Sequence, residues 1–145
     1  MTNAITFTVL GIPAPQGSKT SGLTKSGHPF TREANPRTRP WRQAVAAEAL
    51  ASWQNKAMEG PVELVAAFFF PRPKSHYRTG KHSHDLRADA PIHHTSKPDL
   101  SKLVRAVEDA MTGIIYRDDS QISAMAPKKV YTESNPCAII TVRPL

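Results

Sequence analysis

The chain has 145 residues, enough for one ordinary domain with its own core and no need of disulfide or metal staples. Its net charge of +7 and single cysteine argue against an extracellular disulfide scaffold and for a partner that carries negative charge. No stretch approaches the apolar length of a membrane span, and the opening MTNAITFTVLG has neither a basic leader nor a long apolar core, so the expected setting is soluble and cytoplasmic, with no membrane partner.

Ile5 to Leu10 alternates β-branched and apolar side chains and stops at Gly11, which predicts a first strand. The following GIPAPQGSKTSGLTKSGHPF is rich in Gly, Pro, Ser and Lys and predicts loop. A helix is then expected with Pro40 at its first position, carrying Trp41, Val45, Ala49 and Trp53 as an apolar stripe to about Lys56. Both tryptophans, being on the stripe, read as core. Val62 to Phe70 (VELVAAFFF), bounded by prolines, predicts a central strand buried on both faces.

Pro71 to Pro98 shows no sustained period and reads as a long functional loop. Its histidines His82, His84, His93 and His94 lack helical metal-ligand spacing and have no nearby cysteine, so contacts to DNA or solvent are a better reading than zinc. A second helix is expected from Asp99 to about Thr112, apolar at Leu100, Leu103, Val104, Val107, Ala110 and Met111, and stopped by Gly113. Strands at about 121–132 and 137–142 follow, joined by the turn ESNP. Cys137 falls in the last strand and reads as a buried, inert thiol. The order of elements predicts a single α+β, or mixed α/β, domain over 1–145, with two main helices on a sheet of about four to five strands.

Charge is distributed unevenly along this framework. Six cations between Gly11 and Arg42 face only Glu33, and six more between Pro71 and Pro98 face only Asp85 and Asp89. Such loops suit phosphate contacts, and they suit a plain solubilising surface equally well. Lys97 to Gln121 is the reverse, holding five of the chain's twelve carboxylates: Asp99, Glu108, Asp109, Asp118 and Asp119. Acid concentrated in a basic protein suggests a hard cation beside a polyanion, and so phosphodiester chemistry. Fourteen helical residues place Asp99 and the Asp118/Asp119 pair about 20 Å apart along the axis. They converge only if the chain reverses at Gly113 and runs back beside the helix, and the five residues 113–117, fully extended, cover about 17 Å. Asp109, one turn after Arg105, is expected to pair with it.

These motifs resemble the RusA-like Holliday junction resolvases. KPD at a helix start, EDAMTG at its end and YRDDSQ beyond carry the likeness, and FTVLGIPAPQGSKT and WRQAV extend it to the N-terminal half. The resemblance implies a homodimeric, Mg²⁺-dependent endonuclease (Mn²⁺ substituting) that acts on branched DNA, above all the four-way junction, in recombination, repair or phage DNA processing. Its metal positions fall on Asp99, Ser101 and Asp119, with Asp118 adjacent. The family pattern D-x-D-N-L-x-K becomes Asp99, Leu100, Ser101, Lys102, Leu103, Val104, Arg105, so a serine replaces a carboxylate and Arg105 takes the lysine position. Arg105 and Lys102 are assigned to offsetting charge on the reacting phosphate, and Arg105 can act only as an electrostatic clamp because it keeps its proton. Lys19, Arg32, Arg42 and Lys97 are the expected DNA-phosphate contacts. The departures at Ser101 and Arg105 leave open a second reading, a junction-binding protein of the same fold with weakened or lost catalysis.

Overall fold

The structure, a computed structural model, describes residues 3–17, 19–33 and 35–145, with the side chains of 19, 20 and 33 outside the described set. Four strands make the main sheet: β1 (Ile5–Leu10), β4 (Val62–Pro71), β5 (Ile122–Thr132) and β6 (Cys137–Pro144). Their order is β1-β6-β4-β5, with β6 antiparallel to both neighbours and β4 parallel to β5. Helices α1 (Thr38–Ser52) and α2 (Leu100–Met111) cover one face. A separate hairpin of β2 (Lys19–Leu23) and β3 (Pro29–Glu33) stands in the segment expected to be loop.

Period explains which side of each element is buried. Val62, Leu64, Ala66, Phe68 and Phe70 of β4 point at the helices and meet Trp41, Val45 and Ala49 of α1 and Leu103, Val107 and Met111 of α2 in one apolar cluster. Trp41 and Trp53 are both core residues. The alternate positions of β4, Glu63, Val65, Ala67 and Phe69, are only half-buried, which corrects the expectation of a strand buried on both faces. The helices occupy one side only, so this sheet is two-layered rather than a three-layer sandwich. Cys137 lies on the same uncovered face, half-buried, its thiol pushed up by partial desolvation.

Helix α2 keeps its expected bounds, with Asp99 and Thr112 as its caps, whereas α1 differs from expectation at both ends. α1 begins at Thr38, with Pro40 inside the first turn where no helical donor is needed. It ends at Ser52, because Trp53 turns extended and its indole N–H donates to the Lys56 carbonyl at 3.1 Å, freeing Met58 to donate to the Ile115 carbonyl at 2.7 Å. The segment 72–99 is better ordered by local bonds than its sequence suggests. It contains 3-10 turns at Lys74–His76 and Gly80–His82, and His94 N–H donates to the Lys129 carbonyl, tying it to β5. No described helix is long and apolar enough to cross a membrane.

Candidate active site

Helix α2 is the axis of the site. Asp99 occupies its N-cap position in extended backbone, yet its carboxylate makes no capping bond and instead pairs with Lys102 at 3.7 Å. The pair is exposed and solvent-screened, so its value to the protein is positional rather than energetic. Ser101, Arg105 and Glu108 follow along one face at helical spacing, beside Leu100 and Val104 and across from Met125 and Pro127 of β5.

The Pro-rich turn after β1 lies along the neighbouring face of α2. Gln16 N–H donates to the Lys102 carbonyl at 3.0 Å, and the Gln16 side chain donates to Asp109. Asp109 therefore takes its bond from Gln16, where the sequence suggested an ion pair with Arg105. Gly17 sits against the Arg105 guanidinium with φ +129°, and a Cβ there would come 2.7 Å from Nη1. Gly17→Ala is expected to cost about 1–2 kcal/mol in urea unfolding, chiefly from the backbone, since the arginine tip can move aside.

At the far end of α2 the chain reverses as anticipated. Gly113 adopts φ +83° and its N–H donates to the Tyr116 carbonyl at 2.7 Å. Tyr116 is fully buried, with its hydroxyl donating to the Glu108 carbonyl at 2.8 Å. Burial, followed by the charge of Glu108, holds that phenol far above its usual range. Asp118 then caps the 3-10 turn Asp119–Gln121, accepting from Ser120 N–H, while the Gln121 side chain accepts from Asp118 N–H and donates to the Met58 and Gly60 carbonyls.

This return brings Asp118 and Asp119 to the C-terminal half of α2. Asp119 is raised, first by a hydrogen bond with Asp118, then by desolvation and by the charges of Asp118 and Asp109. Asp118 is lowered by the hydrogen bonds it accepts from Ser120. Glu108 is raised by burial and then by Asp119 and Asp109, against a smaller opposing effect of Arg105. Asp99 belongs to the opposite end. Ile122 pairs with Val62 while Lys129, seven residues along the same strand, donates to the Pro98 carbonyl at 2.7 Å. Seven strand residues span about 23 Å, so one copy of the chain holds its two acidic groups at opposite ends of α2. Among the described residues no group of three or more His, Cys, Asp or Glu side chains is placed to hold a metal ion.

The expected phosphate contacts lie on several surfaces. Lys97 is exposed at the Asp99 end, Arg42 is half-buried beside Asp109, and Arg32 lies 5.0 Å over the Phe30 ring in the hairpin. The Lys19 side chain is outside the described residues. Three contributors were not singled out from sequence: Gln16, which ties the turn to α2; Glu108, which completes the acidic end; and Arg37, which joins Lys97 at the other. Glu108 was visible in the acid count, but only the folded return sets it near Asp119.

His94 is buried, its ring 4.6 Å from Phe70 and 4.8 Å from Tyr131. Desolvation first, and Lys129 second, hold its pKa below 6.5. The unfolded chain then takes up a proton near pH 6.5 while the folded chain resists it, so stability is full above that pH and falls as the solution is acidified towards the folded value. The melting temperature should drop between pH 7.5 and 5.5, and His94→Phe should shrink that drop.

A basic two-layer α+β domain with carboxylates at both ends of one helix has the outline of a nucleic-acid-processing protein. The family model described as endodeoxyribonuclease RusA matches residues 13–143, and the chain belongs to that family, whose members act on Holliday junction DNA. It is also similar to the uncharacterized protein YqaN of Bacillus subtilis (strain 168), 30% identical over 131 residues that cover 90% of each chain.

Proposed function

We propose that the protein is a Mg²⁺-dependent endonuclease that resolves four-way junctions or related branched DNA, and that it works as a homodimer. Membership of the RusA family supports the reaction class, and the acidic groups on α2 of a +7 chain support the means. Asp118 and Asp119 offer the hard carboxylate oxygens that a divalent ion takes. Asp119, raised first by its hydrogen bond with Asp118 and then by desolvation and nearby charge, is a carboxylate whose ionised form a cation would favour. Among the described residues, one copy alone does not complete the site. Mn²⁺ is expected to substitute. Held there, such an ion would supply Lewis-acid polarisation of the phosphate and a bound water of lowered pKa.

The distance between Asp99 and Asp119 decides how the chain's residues share the work. Ligand distances near 2.1 Å do not let a single ion touch carboxylates at opposite ends of a 12-residue helix, about 18 Å long. Two copies related by a twofold axis across α2 would place the Asp99 and Ser101 end of one copy against the Asp119 end of its partner. The face between them suits such a pairing. Leu100, Val104, Met125 and Pro127 form an apolar groove between α2 and β5, with Arg105 and Glu108 along it as opposite charges that an antiparallel partner helix can match. Each composite site would then hold Asp99 and Ser101 from one copy and Asp118 and Asp119 from the other. Arg105, held against Gly17, would offset charge on the phosphate, and Lys102, held by Asp99, would orient it. The two copies would present two sites to the two equivalent strands of a junction.

Cleavage of a synthetic four-way junction with and without Mg²⁺ tests the reading. Metal-dependent paired nicking supports it. Tight junction binding with no cleavage supports the second reading, a junction binder disabled by Ser101 and Arg105. Equal affinity for the junction and matched linear duplex removes both.

A further inference from the structure

At the Asp99 end of α2 lies a cleft of about 490 Å³ that shares Asp99 and Lys102 with the proposed composite site and extends from them between the turn after β1 and the end of β4. We infer that this cleft, beside Asp99, receives one unstacked nucleotide of the branched DNA, with its base against the apolar walls and its phosphate at the basic mouth. The inference rests on the proposed action on DNA junctions and names the part of the substrate that this cleft would hold.

The walls and the mouth point to the same ligand. Ile12 and Pro15 from the turn after β1, with Pro98 opposite, are the accessible apolar walls, and the largely buried rings of Phe70 and His94 close the floor. Flat apolar and aromatic surface takes the face of any base. Arg37, Lys97 and Lys102 line the cleft beside the single acid Asp99, a balance that suits a phosphodiester rather than a neutral ligand. The volume suits one nucleoside unit and not a stacked duplex. Unpaired or weakly stacked bases occur at the crossover of a branched substrate, where extrusion costs least.

The wall is held firmly enough to act as a template. The Thr38 hydroxyl, fully buried, donates to the Pro15 carbonyl at 2.6 Å, and the Gln16 bond to Lys102 anchors the same turn to α2. Lys129 fixes the opposite side through the Ser96 and Pro98 carbonyls. The cleft is therefore formed before substrate arrives, which lowers the ordering cost of binding.

The test places 2-aminopurine at successive positions round the branch point of a four-way junction and follows its fluorescence on binding, with Ca²⁺ replacing Mg²⁺ so that no cleavage is needed. A rise at one branch position is expected, because the probe brightens when it leaves the stack. Ile12→Trp, at a lining position 37% exposed, should fill the cleft, abolish the rise and weaken junction binding about 5- to 100-fold, the range of one base stack, while affinity for linear duplex holds. Junction binding by the wild-type protein with no rise at any position overturns the cleft assignment and leaves the proposed function standing. A wild-type protein that does not prefer the junction overturns both. A rise that persists unchanged in an Ile12→Trp protein whose circular dichroism and melting match the wild type also overturns the cleft assignment. Lys97→Ala, an exposed change at the mouth, gives a second arm that should diminish the rise should Ile12→Trp fail to fold.

Discussion

Asp119→Asn is expected to lower metal-dependent cleavage of a four-way junction on the order of 100-fold or more, with junction affinity in Ca²⁺ nearly unchanged. The asparagine keeps the shape of the side chain and removes the charge. That charge is held in an unfavourable state, hydrogen-bonded to Asp118 and near Glu108 and Asp109, which is the state a divalent ion relieves. The change should therefore abolish a second, independent signal. Mg²⁺ should raise the melting temperature of the wild-type protein and fail to raise that of Asp119→Asn. Equal nicking by the two proteins would remove Asp119 from the metal centre.

Mixed dimers should show where Asp99 acts. If each site combines Asp99 of one copy with Asp119 of its partner, an Asp99→Asn copy paired with an Asp119→Asn copy keeps one intact site and destroys the other. Either homodimer alone has none. Co-expression with two affinity tags and tandem purification gives the mixed species, which should nick one strand of a junction at about half the wild-type rate per dimer, far above either homodimer. If both residues serve a site within one copy, the mixed dimer has no intact site and stays as inactive as its parents. The length of α2, 12 residues or about 18 Å, between the two acidic groups is the reason to expect the first result.

Much of the fold was legible because most elements bury one face, and a buried face leaves a period. VELVAAFFF and the stripe Trp41, Val45 and Ala49 are such patterns, and both lie in the core. The β2–β3 hairpin was not legible, because KTSGL and PFTRE carry no apolar alternation and bury little; their pairing is local, closed by Thr24 N–H to the His28 carbonyl at 2.8 Å. The candidate site was legible as residues and not as an arrangement. The reversal at Gly113 was expected, but its length was judged as extended chain. Instead residues 113–116 curl into a tight turn and Tyr116 turns inward to the Glu108 carbonyl, so the return stops at the C-terminal half of α2. The inward turn follows from burying a large ring, a choice that spacing in sequence does not record.

The strand order has a consequence for how the chain is made. β6, the last strand in sequence, lies between β1 and β4 and pairs with both, Val142 meeting Ile5 on one side and Leu64 on the other. Until β6 leaves the ribosome, the first strand has no neighbour in the main sheet and β4 lacks one of its two. Helix α2 and the acidic groups at its ends are synthesised before the sheet beneath them can close. Closure of the sheet thereby waits for β6 and depends on slow, long-range pairing rather than on contacts local in sequence.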